Sequence, residues 1–287
     1  ASRCDLYWNI ARAFHWANDS QNEIANYRRL LAIEPHSFKA CAALGYALLV
    51  AGDLDESIHY LSQATQLADR STPVYFNLGL AYYFKEDYER AVGSLRRSIS
   101  AKDDDFRAWH LLASAQIKMG DIESAAGSIR VFLQEHPEFG AAWVFLGETC
   151  ILDNSKSEAI GAFRKAAHLL RDDREVLLHI AGKLREIEAF SDALKVYSLP
   201  RLVDSRDYSV VLGTAECLLN LDEWEQAALY FTKACDLDPS EPLPRFGLGC
   251  CFVNLAQRDK ACEQYQQLLQ LEPEMAEDLL SLIKDIA

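Results

Sequence analysis

The chain has 287 residues, of which 50% are hydrophobic, 25% charged and 10% aromatic, a balance typical of a globular protein rather than a disordered or fibrous one. Aspartate and glutamate outnumber lysine and arginine by 43 to 29, which gives a formal net charge of -14. Nucleic acids and anionic membrane surfaces bind clustered cationic charge, so this balance argues against both as partners.

The eight cysteines show neither the dense spacing of a disulfide framework nor a C-x-x-C pair. A chain of this length can fold on its core alone, so we predict buried thiols and a cytoplasmic, reducing compartment. The longest apolar run, residues 40–52, falls short of the roughly 18 to 20 residues that cross a bilayer. The chain starts without methionine or a signal pattern, which suggests a piece of a longer protein or a processed chain.

A small residue recurs every 34 positions along the whole chain. The eight positions are Ala11, Gly45, Gly79, Ala113, Gly147, Ala181, Ala215 and Gly249. In most repeats a second small residue follows twelve positions later, and a large apolar residue such as Leu61 or Phe163 stands four positions beyond it. Self-similarity at a fixed period predicts stacked structural repeats, in which the small residues let neighbouring helices approach closely.

Each repeat contains two stretches with helical spacing of apolar residues, as at Trp109, Leu112 and Ala113. Gly120 and Asp121 separate the two stretches of that repeat. Glycine tolerates the left-handed end of the first helix, and aspartate can cap the start of the second. The pattern therefore predicts a hairpin of two antiparallel helices. Prolines that cannot continue a helix close four of the hairpins: Pro35, Pro137, Pro239 and Pro273.

In chain order, the predicted repeats are 4–37, 38–71, 72–105, 106–139, 140–173, 174–207, 208–241 and 242–275, followed by a capping helix at 276–287. The first repeat has Glu23 where others have alanine or serine, which suits an end repeat with one solvent-facing side. In repeat 174–207, Pro200 replaces a small residue, so we expect the second helix to stop near Leu199 and the joint to be irregular or hinged. The cap would cover the last hairpin with Leu279, Leu280, Leu282, Ile283 and Ile286.

These repeats resemble the tetratricopeptide repeat family, whose pattern combines W-x2-L-G, a later A-x3-F and a closing proline. Repeat 140–173 matches it with Trp143, Leu146, Gly147, Ala159 and Phe163. Repeat 208–241 matches it with Ala227, Phe231, Ala234 and Pro239. The resemblance implies an all-α, right-handed superhelical solenoid of antiparallel helix hairpins with no catalysis of its own.

No catalytic, cofactor or metal motif interrupts the repeats. Gly247 and Gly249 begin like a dinucleotide fingerprint, but the third glycine and a preceding strand are missing, so helix packing is the better interpretation. The acidic run 103–105 could hold a cation, although we favour a solvated turn. Cys217 and Cys251 share a register position, where core thiols are favoured over a redox pair.

By the resemblance, the first helix of each repeat lines a concave groove. We predict a partner-binding groove in which aromatic anchors supply affinity and charged residues select the partner. Its residues are Trp8, Arg12, Lys39, Tyr46, Phe76, Asn77, Leu80, Tyr83, Phe84, Arg107, His110, Glu148 and Glu216. Trp16 and Val50 also occupy groove positions. The alternative is that some of these rings pack between adjacent first helices.

The clamp of lysine, arginine and asparagine by which chaperone-tail binders of this family hold a terminal carboxylate is not matched at these positions. An apolar segment of a partner protein, extended or helical, therefore fits better. We predict a non-catalytic scaffold or adaptor. The alternatives are a targeting or regulatory module of a larger enzyme, a secretion-type chaperone for apolar segments, and self-association.

Overall fold

The computed structural model describes residues 2–67, 72–101, 105–203 and 206–284, and every regular element in these ranges is an α-helix. The predicted all-α fold is confirmed. The chain divides into two compact parts, residues 1–136 and 137–287, which we call the N-terminal half and the C-terminal half. Within each half, successive helices pack as antiparallel hairpins, so each repeat contacts its neighbours in sequence.

The N-terminal half contains α1 (Arg3–Trp16), α2 (Ser20–Ile33), α3 (Phe38–Ala51), α4 (Leu54–Leu67), α5 (Thr72–Phe84), α6 (Tyr88–Ser100), α7 (Phe106–Lys118) and α8 (Ile122–Glu135). The C-terminal half contains α9 (Gly140–Leu152), α10 (Lys156–Leu169), α11 (Arg174–Glu186), α12 (Phe190–Tyr197), α13 (Tyr208–Asn220), α14 (Trp224–Leu237), α15 (Pro242–Asn254), α16 (Arg258–Leu271) and α17 (Pro273–Lys284). We call the odd-numbered helices α1 to α15 first helices and their even-numbered successors second helices.

The turn between first and second helices has the same backbone in every hairpin. Its left-handed residues are Asn18, Gly52, Glu86, Gly120, Asn154, Glu188, Asp222 and Ala256, each with a positive φ and each 34 residues from the next. This conformation satisfies the last carbonyls of the first helix, but it costs a residue other than glycine about 1 kcal/mol. Only two of the eight are glycines, so most hairpins carry this strain.

Helix ends follow the residues that predicted them. Asp19 accepts a hydrogen bond from the backbone N–H of Asn22 at 3.1 Å, and Asp121 accepts one from Ser124 at 3.2 Å. The predicted aspartate caps are therefore confirmed in these hairpins. Likewise, α14 ends at Leu237, two residues before Pro239.

Small residues make room for one large side chain per hairpin. A Cβ atom on Gly79 would lie 2.6 Å from Leu95 Cγ, and one on Gly147 would lie 2.6 Å from Phe163 Cε1. Both large side chains are fully buried. The close approach expected of the 34-residue register is confirmed, because an ordinary contact between carbon atoms is about 3.5 to 4 Å.

Two further glycines make room for a large side chain of a neighbouring hairpin or of the final helix. Phe231 fills the space that a Cβ atom on Gly247 would occupy, and Leu279 of α17 does the same at Gly249. Both glycines therefore serve helix packing, as favoured over a dinucleotide fingerprint.

The interpretation of Glu23 as a mark of a solvent-facing side is wrong. Glu23 is only 6% exposed, and its carboxylate lies 3.3 Å from His15 Nδ1. The reason is that α2 packs against both α1 and α3, so this register position faces inward even in the first hairpin. The charge is tolerated there because the histidine partners it.

The second helix α12 stops at Tyr197 after 8 residues, whereas α10 and α14 each have 14. The predicted early end and irregular joint at Pro200 are confirmed. The turn that follows is held in place, since the N–H of Leu202 donates to the Leu199 carbonyl at 2.8 Å and the Leu202 side chain is fully buried.

The final helix α17 begins at Pro273, earlier than the expected start at residue 276. Proline suits a first helical turn because its missing N–H would have no partner there. Leu279 and Ile283 are buried against the preceding hairpin, whereas Leu282 is 39% exposed. Ile286 lies outside the described residues.

Candidate functional site

The first helices of the N-terminal half form one layer. The ring of His15 in α1 lies 6.3 Å from the ring of Tyr46 in α3, and α3 contacts α5. Between α5 and α7, the guanidinium of Arg107 lies over the ring of Phe76 at 5.7 Å from its centroid. Both contacts join residues 31 positions apart, so a first-helix residue on this face lies next to a residue about one helical turn earlier in the register of the following first helix.

A row of large apolar side chains is exposed at the last turns of three successive first helices. Trp16 is 80% exposed, Val50 61% and Phe84 57%, and they are separated by 34-residue steps. Tyr46, one turn earlier in α3, is 41% exposed. We call these four residues the apolar row. Single exposed apolar residues are ordinary, but a group aligned on one face is typical of an interaction surface.

The other predicted aromatic anchors are half-buried. The ring of Trp8 lies 5.5 Å from that of Tyr27, against the core formed by α1, α2 and α3. Phe76 and Tyr83 pack against the cluster that contains Leu95. The alternative of packing between adjacent first helices describes Phe76, whose ring faces Arg107 of α7, whereas Trp8 packs against the second helix α2. The half-buried residues of the predicted groove in this half are Trp8, Phe76, Asn77, Leu80 and Tyr83.

The first-helix layer of the N-terminal half is cationic although the whole chain is acidic. The sequences of α1, α3, α5 and α7 contain five lysines and arginines but one acidic residue, Asp5. All five of these cations, Arg3, Arg12, Lys39, Arg107 and Lys118, are exposed. His110 of α7 is exposed as well, with its ring 5.7 Å from that of Phe106. Apolar side chains among cations favour a ligand that combines apolar and acidic residues.

The two acidic groove residues lie in the C-terminal half and are paired within it. Glu148 Oε1 lies 2.7 Å from His179 Nε2, and Glu216 forms an ion pair with Arg185. Burial raises the pKa of the Glu216 carboxyl above its ordinary value, and Arg185 opposes that rise. Each pair joins successive first helices, so part of the acidic charge is used in stacking the repeats.

The remaining chemical groups support core or capping roles. Asp105 caps α7, accepting from the backbone N–H of Arg107 at 3.0 Å, while residues 103 and 104 lie outside the described ranges. Cys217 and Cys251 are fully buried, and burial raises the pKa of each thiol to about 12. Protonated, inaccessible thiols fit the core better than a redox pair.

The described residues hold neither a cluster of metal ligands nor a membrane-spanning helix. In the ranges that the structure describes, no group of three or more His, Cys, Asp and Glu side chains is placed to hold a metal ion. The helices described above have at most 14 residues, and none of them has the length and apolar character needed to span a membrane.

Comparison with known protein families gives matches along most of the chain. A family model described as "Tetratricopeptide repeat" matches residues 42–106, 76–126, 110–174 and 187–242. A second model with the same description matches residues 245–274.

Among curated proteins, the chain is similar to the BBSome complex member BBS4 of Bos taurus, with 23% identity over 247 residues. That match covers 82% of this chain and 47% of the bovine protein. The protein CTR9 homolog of Arabidopsis thaliana is 24% identical over 148 residues, which cover 50% of this chain and 14% of the plant protein. The chain thus spans less than half the length of either relative.

Solved structures show the same fold. A crystal structure of MamA protein matches with a TM-score of 0.56 and 21% identity, covering 60% of this chain and 94% of that chain. A structure of Naa15/Naa10 bound to HypK-THB also matches with a TM-score of 0.56, at 17% identity, covering 95% of this chain and 43% of that chain. At these identities the likeness concerns the fold alone.

Proposed function

The chain belongs to the tetratricopeptide repeat family, and on that premise we propose that it is a non-catalytic scaffold or adaptor that binds a segment of another protein. The binding surface is the first-helix layer of the N-terminal half. The observation that carries this proposal is the apolar row, which exposes Trp16, Val50 and Phe84 in one register among cationic side chains.

Binding at this surface combines favourable burial of apolar area with a small entropic cost. Water contact with large apolar side chains is unfavourable by about 25 cal/mol per Å², so covering the row with a partner releases that free energy. Prebuilt helix hairpins do not need to be ordered on binding, which reduces the entropic cost. Arg12 and Lys39, together with Arg107, whose guanidinium also forms an ion pair with Asp105, would attract acidic side chains of the partner and reject basic ones. The preferred ligand is therefore an apolar segment flanked by acidic residues.

Half-buried groove residues have a smaller part in this proposal. Phe76 and Tyr83 support the surface from below, because their rings pack in the core cluster. In the C-terminal half, Glu148 and Glu216 would add negative charge to a second stretch of first-helix surface. Their contribution is reduced because Glu148 is paired with His179 and Glu216 with Arg185. The division into eight repeats with a cap at residues 276–287, and a cytoplasmic location, belong to the same proposal.

The names of the matched proteins support an interaction role. One relative is a member of the BBSome complex, and one structural neighbour was solved as Naa15/Naa10 bound to HypK-THB. A second candidate function is that of an interaction module within a longer protein. It is favoured by coverage, since the matches span 47% of the bovine relative and 14% of the plant relative.

Matched surface variants test the proposal. Val50→Ser with Phe84→Ser removes two members of the apolar row, whereas Ile33→Ser with Val131→Ser removes two exposed apolar residues from second helices of the same half. Proteins retained from the source cell's lysate by each immobilised variant are identified by mass spectrometry. We expect a partner that is retained by the parent chain and by the second-helix variant but lost from the first-helix variant. Equal retention by both variants would contradict the proposed surface.

A further inference from the structure

The early end of α12 leaves a cavity of about 1060 Å³ in the C-terminal half. Second helices recur at 34-residue steps, and α10 and α14 each continue for 14 residues. In α12 the corresponding last six positions form the turn around Pro200 instead. The cavity lies between this turn and the end of α10, on second helices rather than on the first-helix layer.

The cavity wall is strongly cationic. Arg164, Arg171, Lys195 and Arg201 line it together with a histidine, whereas two aspartates are its only acidic lining residues among those described. One of these, Asp172, has a side chain that is 96% exposed, with a carboxylate oxygen 3.9 Å from Arg171 Nε. Such a solvated pair neutralises little charge. A cationic wall of this kind contrasts with the formal charge of -14 on the whole chain.

The second aspartate, Asp192, is buried and shared. Its two carboxylate oxygens accept hydrogen bonds from Arg164 Nε at 2.7 Å and Nη2 at 2.8 Å, and Lys195 Nζ lies 3.3 Å away. One negative charge thus faces two positive charges. Because Arg171 and Arg201 add two more positive charges and Asp172 one negative charge, the described lining keeps a surplus of two positive charges that is available to an acidic ligand.

The floor of the cavity is apolar and its rim is fixed. Val196 is buried, and Leu199 and Pro200 contribute further apolar surface. The Arg201 carbonyl accepts a hydrogen bond from Arg174 Nη1 at 3.1 Å, which ties the turn to α11. A site with a preformed wall and floor binds a ligand with little ordering cost.

We propose that this cavity binds an acidic peptide segment that also carries an apolar side chain. Carboxylates would pair with the exposed guanidinium groups, which can offer two parallel N–H donors each. An apolar side chain would cover Leu199 and Pro200. The volume lies near the upper end of ordinary ligand pockets, about 300 to 1,000 Å³, and exceeds the needs of a single phosphate group. This site is independent of the proposed first-helix surface, because it is built from different helices in the other half.

Fluorescence anisotropy of the full chain with a labelled peptide, Glu-Glu-Leu-Glu-Glu-Leu-Glu-Glu, tests the site. The test variant is Arg171→Glu with Arg201→Glu, since both side chains are exposed and neither is the partner of buried Asp192. We expect the variant to bind about tenfold more weakly, equivalent to about 1.4 kcal/mol. The matched control is Arg258→Glu with Lys284→Glu, which makes the same charge change on α16 and α17. It should change the affinity by less than about twofold.

Several results would overturn the assignment. Equal weakening by the control variant would show unspecific attraction to cationic charge. Equal binding of a peptide with glutamine in place of every glutamate would show that carboxylates are not recognised. Unchanged binding of a peptide with serine in place of each leucine would show that the apolar floor is not used. Displacement of the peptide by inorganic phosphate, but not by chloride at equal ionic strength, would assign the cavity to phosphate groups. The two proposals stay distinguishable because Arg171→Glu with Arg201→Glu lies outside the first-helix layer of the N-terminal half, so this variant should still retain the lysate partner that Val50→Ser with Phe84→Ser loses.

Discussion

Gly147→Ala tests the packing that sets the repeat. The added Cβ atom would lie 2.6, 2.7 and 2.8 Å from Cε1, Cζ and Cδ1 of Phe163, well inside ordinary carbon contacts. Phe163 is fully buried, so its ring has no open space to enter. Overpacking costs about 1–3 kcal/mol, whereas the better helix propensity of alanine returns about 0.5–1 kcal/mol. We expect a net loss of about 1–2 kcal/mol in the free energy of unfolding.

Gly161→Ala is the matched control because Gly161 is an exposed helical glycine in α10 with no atom within 4 Å of its Cβ position. This change should stabilise the chain by about 0.5–1 kcal/mol, so the two substitutions should have opposite signs. The assay is urea unfolding followed by circular dichroism, with midpoints compared at equal slopes. Adding Phe163→Ile to Gly147→Ala should recover part of the loss, because Ala113 and Ile129 form that pair natively. A Gly147→Ala chain as stable as its parent would refute the packing argument.

Three further changes have defined outcomes. Ala256→Gly should raise the free energy of unfolding by about 1 kcal/mol because it relieves a left-handed turn. The control Ala13→Gly, at an exposed position inside α1, should lower it by about 0.5–1 kcal/mol. Both free energies are measured by urea unfolding. Asp192→Asn should lower the urea midpoint at pH 7, because hydrogen bonds from Arg164 hold the pKa of this carboxyl below its ordinary value. The stability that the Asp192 carboxylate contributes is lost as this group is protonated. The difference in urea midpoint between the parent and Asp192→Asn should therefore shrink when pH falls below about 4. An equal difference at pH 7 and pH 3 would contradict a stabilising role of the ionised Asp192. The Cys217 thiol, whose pKa burial raises to about 12, should resist a thiol reagent at pH 8 until urea is added. Because Cys4, Cys250 and Cys262 are only half-buried, labelling is read at the Cys217 peptide by mass spectrometry, and rapid labelling there in the native chain would exclude a core role.

The sequence predicted the helices well because a single register governs them. Each hairpin needs a small residue where two helices cross and a left-handed residue where the chain reverses, and both recur every 34 positions. Even the exception was visible, since Pro200 predicted the early end of α12. What the register could not show was Glu23, whose burial depends on the way α2 is covered on both sides by α1 and α3.

The candidate site was less predictable because register position does not determine exposure. Tyr46 and Leu80 share one register position, yet Tyr46 is 41% exposed while Leu80 is half-buried. The cationic cavity was also missed, because it requires the end of α10 and the turn after α12 to come together.

A photo-crosslinking experiment tests whether the first-helix layer of the N-terminal half binds a partner protein. The crosslinker p-benzoylphenylalanine replaces Val50 in one chain and Val131 in another, two valines that are 61% and 47% exposed on a first and a second helix of the same half. We expect a crosslinked product with a partner protein from position 50. This product should be weak or missing when the crosslinker is at position 131, and it should be lost when Phe84→Ser is added to the position 50 chain. Equal crosslinking of the same protein from position 131, or persistence of the position 50 product in the Phe84→Ser chain, would contradict it.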